Sequence, residues 1–266
     1  SGLKADVIQN SVTAGQAYII MSSSYTEGTR IALDIVEESK LNKESIAGIL
    51  KEIKETCGKD VPLSTHLICT SSKDWSSVQR YDPFFEDVKR IPTVSAFAET
   101  IKKSRTLTGL DVAVYILSRI KCTHLSLEKL VYFSYADYLC ETGKRLFEDQ
   151  IYAFEHGPIV DSVYEAYKRS GSKRIDPPTI ETDRPVTSTA EEMPSKSRIL
   201  FAVDGLEKLR SIEQTINRYG NYAPWQLVSI THREGSPWSY VDSSREYQPI
   251  PDRLILKHHH VETEDI

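Results

Sequence analysis

From Leu107 onward, apolar residues recur three and four positions apart, and this spacing commits the second half of the chain to packed helices. Leu110, Ala113, Val114, Leu117 and Ile120 fall on one helical face. Leu127, Leu130, Val131, Tyr135 and Tyr138 supply the buried stripe of a second helix, with Ser126 as its expected cap and Gly143 as its stop. A helix over about 197–219 carries Ile199, Val203, Leu206, Ile212 and Ile216, and a shorter one over about 224–231 follows Gly220. Between these helices, residues 144–154 are partly alternating and rich in aromatics, which suits a β-hairpin or an extended segment. Gly157-Pro158 is expected to break that segment, with Pro158 in the first turn or Asp161 at the cap of a helix carrying Val163, Tyr164 and Tyr167.

The first hundred residues read differently. Ala17–Met21 and Thr65–Thr70 are strand candidates, and Val88–Ile91 is a weaker third. Helices are expected from about Thr29, from Asn42 to Gly58, and over Val94–Ile101 after Pro92. The whole chain is therefore expected to be α+β: a mainly helical C-terminal domain with a short β-hairpin, preceded by a small α/β domain. The expected boundaries are 1–104 for the α/β domain, 105–250 for the helical domain and 251–266 for a solvated polar tail. Pro177, Pro178, Pro185 and Pro194 among Ser, Thr and acids mark 172–196 as a flexible insertion.

Of the 266 residues, 39% are hydrophobic and 27% charged, with a formal net charge of -5, which fits a soluble globular protein. Basic residues alternate with acids, as in Lys51-Glu52-Ile53-Lys54-Glu55, so no basic stripe is there to track phosphates, and non-specific nucleic-acid binding is disfavoured. No apolar run approaches membrane-spanning length and no leader opens the chain, so a cytoplasmic location is expected. The four cysteines at 57, 69, 122 and 140 form no CxxC pair, and neither a zinc ribbon nor a disulfide framework is expected. GxSxG, HExxH and phosphate-cradling glycine motifs are missing from the sequence, so no catalytic residue, metal or cofactor is assigned.

Three segments together resemble the SocA/Panacea family of bacterial and phage proteins. They are Leu127-Glu128-Lys129-Leu130-Val131-Tyr132-Phe133; the run from Gly143 and Leu146-Phe147 through Ala153-Phe154 to Gly157-Pro158-Ile159-Val160 and Val163-Tyr164; and Leu227, Thr231-His232 and Pro237-Trp238. The resemblance covers roughly residues 107–245. It implies a largely helical antitoxin-type domain that holds a partner protein by direct contact, namely a toxin encoded nearby, in some members as an adaptor to a protease. It implies no cofactor and no settled catalytic residue.

On this basis an exposed Tyr132 or Tyr138, with His156, Tyr164, His232 and Trp238, is the expected partner-binding set, because aromatic residues dominate interface hot spots. Lys129, Leu130, Gly157, Pro158 and Pro237 are expected to build the scaffold. Two other functions compete with this one. A DNA-binding regulator would use the helices and the 144–154 hairpin as a winged helix. An enzyme would use His156 or His232 as a base, which requires a polar partner within hydrogen-bond reach.

Overall fold

The computed structural model describes residues 16–25, 27–37, 42–70, 74–171, 173–175 and 194–264. These fall into two compact units, one ending at Arg105 and one beginning at Thr106.

The first unit is built on a sheet of order β3-β1-β2-β4. β1 (Gln16–Ser24) and β2 (Thr29–Glu37) form a long antiparallel hairpin, and β3 (Ser64–Cys69) pairs antiparallel with β1. β4 (Lys89–Arg90) runs parallel to β2. The expected helix from Thr29 is therefore a strand. Ile31, Leu33 and Ile35 alternate with period two, and Gly28, at φ 69, closes a tight turn that sends the chain back along β1. Ala17, Ile19, Met21, Ala32 and Ile68 cluster on one sheet face with Val78, Phe85 and Val88. The intervening Ile20, Ile31 and Leu33 are buried on the other face. There α3 (Val94–Ser104) packs across β1 and β2, and α1 (Lys43–Cys57) packs on α3. Asn42 caps α1 by accepting from the Glu44 amide. α2 (Trp75–Tyr81) belongs to the first face, through Val78.

The second unit is helical around one axle. α5 (His124–Thr142) is buried at nearly every position from Ser126 to Leu139. It is surrounded by α4 (Gly109–Arg119), α6 (Asp161–Tyr167), α8 (Gly205–Tyr219), α9 (Pro224–Thr231), α10 (Asp252–His258) and a small sheet. A helix enclosed on all sides needs apolar residues all round, which explains why Tyr132, Phe133, Tyr135, Ala136 and Tyr138 are all core. Thr123, not Ser126, caps α5, accepting from the Ser126 amide, and Gly143 ends it at φ 73. The small sheet has order β6-β5-β7, from β5 (Ile151–Phe154), β6 (Gly157–Val160) and β7 (Gln248–Pro249). Gly157 and Pro158 thus lie inside a strand instead of breaking one, and α6 begins at Asp161 without a side-chain cap.

The single helix expected over 197–219 is two. α7 (Pro194–Phe201) and α8 are separated by Asp204 in the left-handed region, at φ 54. A Cβ on Gly205 would lie 2.4 Å from the Leu200 carbonyl oxygen, so the tight corner depends on glycine. Most of the expected insertion at 172–196 lies outside the described residues. Just before it, Ile175 is buried and its amide donates to the Cys122 carbonyl at 2.9 Å. The segment expected to be a solvated tail instead forms α10 and α11 (His260–Thr263), with Ile255, His259 and Glu262 buried. Its polar residues find partners in the core of this unit, so burial costs less than their composition suggests.

Candidate protein-binding face and its buried supports

In the small sheet, β6 has a strand neighbour on one side only; its other edge faces α5. An open edge presents unpaired amides and carbonyls, which cannot be buried without partners. Two consecutive side chains of α5 supply those partners. The Lys129 ammonium donates to the Pro158 carbonyl at 2.9 Å, and the Val160 amide donates to Glu128 Oε2 at 3.2 Å. Glu128 Oε1 is also paired with His124 Nε2 at 3.2 Å. Lys129 is fully buried, and desolvation lowers its pKa to about 8 against the opposing pull of Glu128. A helical Glu-Lys pair takes the place of a missing strand.

Gly157 makes this closure sterically feasible. Its φ is 113, and a Cβ there would sit 2.6 Å from Thr231 Oγ1 and 2.8 Å from Lys129 Cε. Behind the hairpin, the Trp238 indole donates to the Phe154 carbonyl at 2.7 Å and packs on the His232 ring at a centroid distance of 3.9 Å. Ser236 Oγ donates to the Thr231 carbonyl at 2.7 Å, and Pro237 is buried beside it. The three motif segments, distant in sequence, are thus one lock joining α5, the β5–β6 hairpin and the end of α9.

The sequence-predicted site residues separate into two groups. Tyr132 and Tyr138 are fully buried, so the expectation of an exposed recognition patch at either ring is corrected: both are enclosed by the helices around α5. His156 is exposed at the two-residue hairpin tip, and Tyr164, His232 and Trp238 are partly buried. His156 and Tyr164 line a cleft of about 620 Å³ together with His124, Glu128, Phe154 and Glu155. Among the described residues neither His156 nor His232 pairs with a carboxylate. In this unit the histidine–carboxylate pairs lie at His124 and at His259. The His232 pKa is lowered by burial and by the charges of Lys129 and His156, despite a hydrogen bond to the Glu155 backbone. As built, neither imidazole is held as a general base.

One constellation was not anticipated. His259 Nε2 lies 2.6 Å from Asp137 Oδ1, and its Nδ1 lies 2.9 Å from Glu262 Oε1. Tyr132 donates to the same Glu262 oxygen at 2.5 Å, and Thr215 donates to Asp137 Oδ2 at 2.7 Å. Burial opposes a charge on His259, but the two carboxylates more than offset it and raise its pKa to about 9. With both ring nitrogens donating to carboxylates of this chain, the imidazolium has no ring nitrogen free for another partner. It fastens the C-terminal helices to α5 and α8. Asp137 and Glu262 stand 125 positions apart in sequence by their numbering, so only the folded chain brings them together.

Comparison with known proteins bears on the same segments. Residues 127–239 match the family described as Antitoxin SocA-like, Panacea domain. The chain is similar to Antitoxin SocA of Caulobacter vibrioides (strain NA1000 / CB15N), at 27% identity over 122 residues, which is 46% of this chain. That alignment spans 61% of the relative's length, less than two thirds of it. No solved structure matches the chain. The matched segment contains Glu128, Lys129, Gly157, Pro158 and Trp238 and stops short of His259. The residues that build the lock around the β5–β6 hairpin therefore lie within the segment that is similar to the SocA-like Panacea family.

Proposed function

We propose that this chain is an antitoxin-like binding protein that neutralises a partner toxin, encoded nearby, by direct contact. The observation that carries this reading is the SocA-like Panacea match over the segments that assemble the hairpin lock. Residues such as Lys129, Gly157 and Trp238 are spent on internal contacts, so partner choice falls to the outward side chains of the hairpin and α6. Fixing the backbone of a recognition surface reduces the ordering cost of binding. The His156 hairpin tip, Tyr164 and the cleft between them are the surface assigned to the partner.

Co-expression with the product of the adjacent gene tests the proposal. Growth should be restored when that product is toxic alone, and the two chains should co-purify. A toxic neighbour that is neither retained nor relieved by this protein would refute it.

A further inference from the structure

We propose that the outward face of the β5–β6 hairpin, with Tyr164 and Tyr247, receives an arginine or lysine side chain of the partner protein. The proposal rests on the protein-binding reading above and specifies the chemistry of its contact.

The rings form a continuous stripe. Along β5, Ile151 and Ala153 point into the core, so Tyr152 and Phe154 point out. Tyr247 packs edge-on against both, at centroid distances of 5.3 and 5.2 Å. Tyr164 packs against Phe154 at 5.1 Å, and His124 against Tyr164 at 5.4 Å, which carries the stripe into the cleft. Tyr247 is 42% exposed and holds a left-handed backbone, φ 51, that a non-glycine residue rarely adopts. Strain of this kind persists where the surrounding structure imposes it, and functional surfaces are where it concentrates.

Carboxylates stand beside the rings. The Tyr247 pKa is raised first by the hydrogen-bonding influence of Asp161, then by desolvation and by the charges of Asp161 and Glu165. Asp161 Oδ1 has no hydrogen-bond partner. Glu155 at the hairpin tip and Glu246 next to Tyr247 are exposed, and neither they nor Asp161 carry an ion pair among the described residues. Two of the nearby cations are already engaged: Lys129 is buried against Pro158, and Lys168 is paired with Glu165 at 2.7 Å. That same Lys168 lies 5.8 Å from the Tyr164 ring centroid, so this ring already accepts a cation from its own chain. Aromatic faces alone would also suit the bases of a single strand, but the unpaired carboxylates repel phosphates and favour a cationic side chain.

Fluorescence anisotropy on the full chain tests this, using a labelled peptide of alternating arginine and glycine, its glutamate–glycine counterpart and a single-stranded oligothymidine. The arginine peptide should bind, and more weakly as salt rises. Tyr164→Ala should weaken it about tenfold. Tyr164→Phe, which keeps the ring, should retain binding, as should Tyr240→Ala, an exposed aromatic outside the stripe. Equal or tighter binding of the glutamate peptide or the oligonucleotide would overturn the proposal. So would arginine-peptide binding that is absent at millimolar concentration or unchanged by Tyr164→Ala. Undiminished capture of the toxic neighbour by Tyr164→Ala would overturn the proposal while leaving the antitoxin reading in place. Failure of the unmodified chain to capture it would strike only the antitoxin reading.

Discussion

Replacing His259 with alanine is expected to lower the unfolding free energy by about 3–5 kcal/mol, the cost of removing one partner from a buried ionic group. The imidazolium is the only cation bonded to both Asp137 and Glu262 among the described residues, and Glu262 is wholly inaccessible. Without it the two carboxylates lose their shared partner, and the Tyr132 hydroxyl is left bonded to an uncompensated anion. Urea denaturation of the two proteins measures the loss. Its pH dependence has a definite sign. The His259 pKa is raised from 6.5 to about 9 in the folded chain, so its contribution is complete below 6.5 and fades as pH climbs through 9. The stability gap between wild type and variant should therefore shrink between about pH 6 and about pH 10. A gap that stays constant would mean that His259 acts by packing and not by charge.

Gly157→Ala should be similarly damaging, by about 3 kcal/mol or more, because backbone strain and overpacking coincide. At φ 113 the added methyl group meets Thr231 Oγ1 at 2.6 Å and Lys129 Cε at 2.8 Å. Neither neighbour is free to retreat: Thr231 is buried and donates to the Val228 carbonyl, and Lys129 holds the Pro158 carbonyl. Gly143→Ala makes the control, since its φ is also positive but nothing lies within 4 Å of the new methyl. Its cost should be about 1 kcal/mol. Thermal unfolding of both variants distinguishes a requirement for close approach from one for backbone freedom alone. Equal losses would remove the steric argument for Gly157.

The helices of the second unit were legible wherever periodicity and a stop residue agreed. The apolar stripe from Leu127 to Tyr138 and Gly143 give α5 directly. Local spacing did not reveal that α5 is enclosed on every side, which is why Tyr132 and Tyr138 read as surface candidates. β2 misled because Ile31, Leu33, Ile35 and Val36 satisfy helical and strand spacing over a short stretch. The pairing of Ile20 with Leu33 and of Ser22 with Ile31 decides between them. The lysine of α5 drew attention as a motif residue, but its task became visible only with the Pro158 carbonyl, 29 positions on, in reach of its ammonium. The histidine cluster at 258–260 read as solvated for a related reason. Its partner Asp137 lies 122 positions away, and no local pattern announces a contact of that range.

On the proposed function, the outward face of the hairpin holds a partner while the residues behind it hold the fold. Hydrogen–deuterium exchange of the complex with the adjacent gene's product, compared with the free chain, tests this most directly. New protection should concentrate on the β5–β6 hairpin, α6 and the segment around Tyr247, and the C-terminal helices bearing His259 and Glu262 should exchange as they do in the free protein. Protection confined to those C-terminal helices, with the hairpin unchanged, would contradict the account.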